Sequence, residues 1–184
     1  MSSLEEKTIR SEKIFSGNVI SLFLEDVELP NGKTSKREIV KHPGAVAILA
    51  ITDENKIVMV EQYRKALERT IVEIPAGKLE KGEEPAACAR RELEEETGYG
   101  CGSLEWLTSF YTSPGFSDEI VHIYMAKGLE KIENSASLDE DEFVNVEEMT
   151  LEEALQSIKE QKIYDAKTIF AVQYMQLQEA ITKK

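Results

Sequence analysis

Three glutamates near the end of a predicted helix, Glu92, Glu95 and Glu96, are the residues best placed to do chemistry. An α-helix turns by about 100° per residue, so these side chains project toward one region of its surface. Like charges at this spacing repel each other, and negative charge near a helix C-terminus also opposes the helix dipole. The run is therefore either a solvated acidic face or a set of carboxylates gathered for a hard divalent cation such as Mg²⁺.

The sequence around these glutamates, GKLEKGEEPAACARRELEEETGY at residues 77–99, resembles the Nudix box. The family pattern is Gly, five residues, Glu, seven residues, Arg-Glu, a bulky apolar residue, any residue, Glu-Glu, any residue, Gly and a bulky apolar residue. Every fixed position matches, and Tyr99 departs only in being aromatic where an aliphatic residue is usual. The resemblance implies an α/β/α sandwich around a mixed β-sheet, and metal-dependent hydrolysis of a nucleoside diphosphate linked to another group.

The resemblance also assigns roles within the box. It implies that Glu92, Glu95 and Glu96 are the metal ligands, with Mg²⁺ as the expected ion and Mn²⁺ as the alternative. A pyrophosphate resists attack by water because its oxygens are negative, and a divalent cation offsets that charge. Arg91 precedes Glu95 by four residues and can hold its carboxylate in position, or it forms a plain surface ion pair. Glu83 is expected to organise the loop, and the box glycines to serve backbone geometry.

Flanking residues resemble one subfamily, the ADP-ribose pyrophosphatases. Pro114 stands 16 residues beyond Gly98, a distance typical of that subfamily, although Ser-Pro-Gly-Phe is also an ordinary turn sequence. The similarity extends to Arg37 and Arg64, which it places near the substrate, where a guanidinium can pair with phosphate or stack on adenine. Either arginine could equally be a solvated charge at a strand end. The resemblance implies cleavage of ADP-ribose to AMP and ribose 5-phosphate.

An acidic stretch, LDEDE at residues 138–142, is the candidate source of the catalytic base. It is too charged to pack into a core, as expected of a loop that closes over substrate, although a solvated acidic loop is the alternative. The loop resembles the region where the subfamily carries its catalytic glutamate. Aligned on the apolar strand that follows, Glu140 falls at that place and Glu142 is the second candidate.

Composition restricts the partners. The 184 residues carry a formal net charge of −13, so the chain lacks the basic surface that long nucleic acids require. The longest apolar run, at residues 44–51, is far shorter than the roughly 20 residues of a membrane-spanning helix. The polar N-terminus does not resemble a secretory signal, and we expect a cytoplasmic protein with a small-molecule substrate.

The elements that must position these residues divide into two predicted regions. Residues 1–42 form a β-rich extension with a small antiparallel sheet, and Pro30, Asn31 and Gly32 supply a tight hairpin turn. The resemblance implies that residues 43–184 form the Nudix hydrolase domain. The subfamily resemblance implies a homodimer, in which the N-terminal strands cross to the partner.

Within the second region, apolar runs at residues 45–52 and 56–64 predict a buried hairpin at the centre of the domain. A helix is predicted over residues 85–97, with Pro85 at its first position and Gly98 just after its end. Two further helices are predicted from about Leu151 and Ala166.

Two alternative functions remain open. The first keeps the enzyme class and changes the substrate to nucleotide sugars or other nucleoside diphosphate derivatives. The second is a Nudix-like module that senses a nucleotide without cleaving it. Such modules tend to lose box carboxylates, and this chain has lost none.

Overall fold

The computed structural model describes residues 4–133 and 143–182. Within these residues the chain forms ten strands and three helices. The strands make three sheets, with the orders β1-β2-β3, β10-β5-β6 and β7-β4-β9-β8. The elements are β1 Lys7–Ser16, β2 Ser21–Glu28, β3 Thr34–Lys41, β4 Ala45–Ala50, β5 Ile57–Arg64, β6 Arg69–Glu73, β7 Ala76–Lys78, α1 Pro85–Thr97, β8 Tyr99–Tyr111, β9 Ile120–Lys131, β10 Val144–Met149, α2 Leu151–Lys159 and α3 Ala166–Thr182.

One compact unit comprises Met1–Gly44 and Phe110–Ile120. Its sheet is an antiparallel meander, as the sequence predicts, with β1 paired to β2 and β2 paired to β3. The predicted turn is present between β2 and β3: Leu29 N–H donates to the Lys33 carbonyl at 2.8 Å, and Gly32 has φ +76°. Strand β1 lies at the edge of this sheet, and all ten of its residues are exposed.

The other unit comprises Ala45–Ser109 and Val121–Lys184. Its central sheet is mixed, because β4 runs parallel to β9 and antiparallel to β7. Helix α1 packs against β4 and β7. The predicted α/β class, with a mixed sheet and a small N-terminal antiparallel sheet, is confirmed.

The predicted hairpin between β4 and β5 is wrong. Among the described residues, they are linked only by an isolated bridge between Ile51, the residue after β4, and Ile57. Strand β5 instead pairs with β6 and β10 in a separate antiparallel sheet. In β4, the five residues from Val46 to Ala50 are completely buried. Such an apolar run shows that both faces of the strand are covered, but it does not specify which strand lies beside it.

Helix α1 has the predicted bounds. Pro85 occupies its first turn, and Gly98 ends it in the left-handed conformation, with φ +71° and its N–H donating to the Glu94 carbonyl at 2.8 Å. The buried stripe of this helix contains Cys88, Ala89 and Leu93. This stripe anchors the helix to the core and fixes the direction of its glutamates.

The other two helices begin where the sequence predicts. In α2, the Thr150 hydroxyl accepts from the Glu153 N–H and the Glu153 carboxylate accepts from the Thr150 N–H, which forms a capping box. Helix α3 buries Thr168, Ala171, Val172 and Met175. None of the helices in the described part of the chain is long and apolar enough to cross a membrane.

Candidate active site

Two of the three predicted ligands are buried beside strand β7. Glu92 is 8% exposed and Glu96 is 5% exposed. The Ala76 N–H donates to Glu96 Oε2 at 2.9 Å. A Cβ added to Gly77 would lie 1.8 Å from the carboxyl carbon of Glu92. Gly77 therefore makes room for the Glu92 carboxylate, a different role from the backbone one expected from the sequence.

Arg91 contacts several carboxylates of the box. Its Nη1 lies 2.8 Å from Glu95 Oε2 and 2.8 Å from Glu92 Oε1. The contact between Arg91 and Glu95 is the one that their spacing of four residues predicts. On its other side, Nε and Nη2 donate to the two oxygens of Glu83 at 3.0 and 3.1 Å. These hydrogen bonds are the main cause that lowers the pKa of Glu83 to about 2. Arg91 is thus an internal counter-ion rather than half of a simple surface pair.

Glu83 also forms a hydrogen bond within the loop that precedes α1. Its carboxylate accepts the Glu80 N–H at 3.0 Å while it binds Arg91. The organising contacts expected of Glu83 are therefore present. The same crowding raises the pKa of the Cys88 thiol to about 12, chiefly by burial and also through Glu83. We therefore expect Cys88 to be unreactive at neutral pH.

The donor chemistry of this cluster fits a hard divalent cation. Carboxylate oxygens are the ligands that Mg²⁺ and Mn²⁺ prefer, and Arg91 supplies one positive charge to Glu83, Glu92 and Glu95. Within residues 4–133 and 143–182, however, no three acidic, histidine or cysteine side chains converge closely enough to hold an ion as they stand. Glu92 and Glu95 turn toward Arg91 while Glu96 turns toward Ala76. Metal binding through all three would therefore need a change of rotamer.

Arg64 belongs to a network of charges that was not predicted from the sequence. Its Nε donates to Glu73 Oε2 at 2.7 Å, and Lys167 Nζ donates to Glu73 Oε1 at 2.7 Å and to Asp165 Oδ2 at 2.9 Å. Glu73 is only 3% exposed, whereas the Arg64 side chain is 39% exposed. Arg64 is therefore anchored at one edge and open to solvent elsewhere. A signal was available, because Glu73 is an acid within the apolar run TIVEI.

Arg37 and Pro114 lie in the unit that contains Met1–Gly44 and Phe110–Ile120. Both residues line a cavity of about 320 Å³. Its apolar walls are Ile39, Pro114 and Phe116. The structure thus brings two of the three predicted substrate residues together, while Arg64 belongs to the other unit.

The predicted bases, Glu140 and Glu142, lie outside the described residues. The strand that follows them, β10, is paired with β5 along its whole length. Tyr99, the one departure from the family pattern, donates from its hydroxyl to Glu148 Oε1 of this strand at 2.7 Å. That bond and burial raise the pKa of Tyr99 to about 12. An aliphatic residue could not make this bond between the end of the box and β10.

Comparisons with known proteins agree with the box. The NUDIX domain model matches residues 41–172. The chain is 72% identical to the "Methanol dehydrogenase activator" of Bacillus methanolicus, over 98% of this chain and 97% of that protein. It is 67% identical to the "ADP-ribose pyrophosphatase" of Bacillus subtilis (strain 168), over 98% of each.

More distant relatives have other names. The "GDP-mannose pyrophosphatase" of Escherichia coli (strain K12) is 32% identical over 94% of this chain and 96% of that protein. A crystal structure described as "ADP compounds hydrolase" superposes with a TM-score of 0.83 at 21% identity, and the match covers 100% of this chain and 98% of that chain. This likeness confirms the fold.

Gly77→Ala tests the close approach of Glu92 to β7. The new methyl group would lie 1.8 Å from the carboxyl carbon of Glu92, so that carboxylate must move. We expect Mg²⁺ or Mn²⁺ to raise the melting temperature of the wild type, and to raise that of Gly77→Ala much less. Thermal unfolding with and without each ion measures the shift.

Gly102→Ala is the matched control, because its added methyl would meet other atoms no closer than 3.5 Å. It should keep the full metal-dependent shift. An undiminished shift in Gly77→Ala would show that the position of Glu92 does not matter for metal binding.

Proposed function

Because the chain belongs to the Nudix family of hydrolases, we propose that it cleaves the pyrophosphate of ADP-ribose to give AMP and ribose 5-phosphate. The observation that carries the reaction class is the complete set of box carboxylates, gathered around Arg91 and β7. The substrate is supported by the 67% identical ADP-ribose pyrophosphatase of Bacillus subtilis.

In this proposal Glu92, Glu95 and Glu96 hold a divalent ion, with Mg²⁺ expected and Mn²⁺ as the alternative. When bound, such an ion offsets the negative charge of the pyrophosphate and makes water a better nucleophile. The chain's own contribution is to hold the three carboxylates near one another. Arg91 does this by contacting Glu92 and Glu95, while β7 supplies the N–H that orients Glu96.

The two arginines have different tasks in the proposal. Arg64 is anchored to Glu73 by Nε and Nη2, and its side chain is still 39% exposed. It is therefore suited to pair with a phosphate oxygen of the substrate. Arg37, Pro114 and Phe116 line a cavity with apolar walls, which suits the adenine ring.

The names of other relatives support two alternatives to the hydrolysis of ADP-ribose. The GDP-mannose pyrophosphatases favour a nucleotide sugar, and they are only 32–33% identical. The methanol dehydrogenase activator is 72% identical, and its name describes an effect on another enzyme rather than a reaction. By this relative, the second candidate function is activation of a dehydrogenase. A non-catalytic sensor is disfavoured because every box carboxylate is present.

A substrate panel tests the proposal. The protein is incubated with Mg²⁺ and ADP-ribose, ADP-glucose, GDP-mannose, NADH or diadenosine polyphosphates, and released mononucleotides are quantified. ADP-ribose should give the highest kcat/KM. A preference for GDP-mannose would support the nucleotide-sugar alternative, and no cleavage of any compound would support the sensing module.

Glu95→Gln and Glu96→Gln should each lower kcat by orders of magnitude while the fold survives. Each change removes a proposed metal ligand, and the charge stabilisation of the transition state is lost with it. Glu94→Gln is the matched control, because it alters the neighbouring side chain of the same helix at a position where the family pattern accepts any residue. Near wild-type kcat for Glu95→Gln or Glu96→Gln at saturating Mg²⁺ would remove that residue from the ligand set.

The general base is proposed to be Glu140, with Glu142 as the second candidate. A base that deprotonates the attacking water contributes roughly a hundredfold to ten-thousandfold. We therefore expect a loss of this size in kcat for Glu140→Gln, and a much smaller one for Glu142→Gln. Losses under about threefold in both variants would leave the loop without a catalytic role and return the base to the box.

We also propose a homodimer formed through the N-terminal strands. Strand β1 is an edge strand with exposed apolar residues, including Ile9, Ile14 and Phe15, and such an edge can pair with another chain. Deletion of residues 1–42 should give a monomer or an insoluble chain. Sedimentation as a dimer with an unchanged KM would contradict this proposal.

The cytoplasmic location stays a prediction from the sequence.

A further inference from the structure

Glu6 and Arg37 form a bidentate ion pair at the cavity that Pro114 lines. Arg37 Nε donates to Glu6 Oε2 at 2.9 Å, and Arg37 Nη2 donates to Glu6 Oε1 at 2.6 Å. Paired hydrogen bonds of this kind fix the plane of a guanidinium as well as its position. Both residues line the cavity, so the pair forms part of its wall.

The remaining nitrogen of Arg37 is also engaged. Nη1 donates to the Ser35 hydroxyl at 3.0 Å and to the Lys36 carbonyl at 2.9 Å. All three guanidinium nitrogens thus have acceptors from the protein itself. A phosphate that binds the Nε–Nη2 edge of the guanidinium would have to displace Glu6, whereas a planar ring can approach its flat face without breaking any of these bonds.

The charges around the cavity also favour a neutral ring over a phosphate. Its described lining contains three acids, Glu6, Glu38 and Asp118, and one arginine, Arg37. Asp118 is further offset by Lys41 Nζ at 3.0 Å. An anionic pyrophosphate gains little in such surroundings. A neutral ring gains contact with Ile39, Pro114 and Phe116 as well as with the guanidinium face.

We propose that Glu6 is a positioning residue, which holds the Arg37 guanidinium in the plane that receives the nucleobase of the substrate. This inference rests on the proposed function for the identity of the base. Because these hydrogen bonds already hold the guanidinium in the free protein, less conformational freedom is lost when the base binds. Glu6 acts through Arg37 and need not touch the base itself.

Glu6→Gln tests the role, because it removes the charge and keeps the size of the side chain. Two products of ADP-ribose cleavage serve as probes by calorimetry: AMP carries the base, and ribose 5-phosphate does not. We expect Glu6→Gln to weaken AMP binding by roughly three- to tenfold and to leave ribose 5-phosphate binding unchanged. In turnover of ADP-ribose, KM should rise by a similar factor with kcat unchanged.

Two further variants separate positioning from a general effect. Glu12→Gln removes an exposed partner of Arg10 in β1 and should leave AMP binding at the wild-type level. In an Arg37→Ala background, Glu6→Gln should have no additional effect on AMP binding, because Glu6 acts through that arginine. An equal loss in both backgrounds would overturn the proposal.

The remaining outcomes are distinct. Tighter AMP binding by Glu6→Gln would show that Glu6 competes with an anionic ligand for Arg37, and unchanged binding would show that the pair is irrelevant, so each overturns the inference. Weaker AMP binding by Glu6→Gln in a protein that does not cleave ADP-ribose would support Glu6 as a positioning residue and reject the proposed function.

Discussion

Mutual repulsion among the carboxylates of α1 is the constraint on which the site depends. Glu92 and Glu96 are nearly buried, and Glu83 and Glu95 lie around the same arginine. Burying charged groups is costly unless partners are supplied, and Arg91 and the Ala76 N–H supply them here. The helix itself gains nothing from this arrangement. Its stability comes from the apolar stripe of Cys88, Ala89 and Leu93 and from the left-handed cap at Gly98.

A short stretch of chain, residues 73–77, contacts both the arginine proposed to bind phosphate and the glutamates proposed to bind metal. At one end Glu73 binds Arg64 and Lys167, and at the other Ala76 orients Glu96 while Gly77 leaves space for Glu92. Between them, Ile74 is completely buried, and its N–H donates to the Thr168 hydroxyl of α3 at 3.0 Å. The arginine proposed for phosphate and the carboxylates proposed for metal are therefore both in contact with one short segment.

Local signals explain which features could be predicted. The bounds of α1, the hairpin turn at Gly32 and the pairing of Arg91 with Glu95 all follow from residues close together in sequence. Contacts between distant residues could not be predicted in this way. Glu6 is 31 residues from Arg37, and Glu73 is 94 residues from Lys167. Likewise, the apolar runs of β4 and β5 predicted burial correctly but gave the wrong partner, because periodicity carries no information about which strand lies alongside.

Tyr99 has a consequence for how this family diverges. Its hydroxyl donates to Glu148, and Lys131 Nζ lies 4.8 Å from the centre of its ring, so two residues from two other strands depend on one aromatic side chain. With an aliphatic residue at that position, a carboxylate at 148 would lose this hydrogen bond, and the ammonium at 131 would lose the ring face. Positions 99, 131 and 148 should therefore covary among homologues, even though the first belongs to a conserved motif and the other two lie outside it.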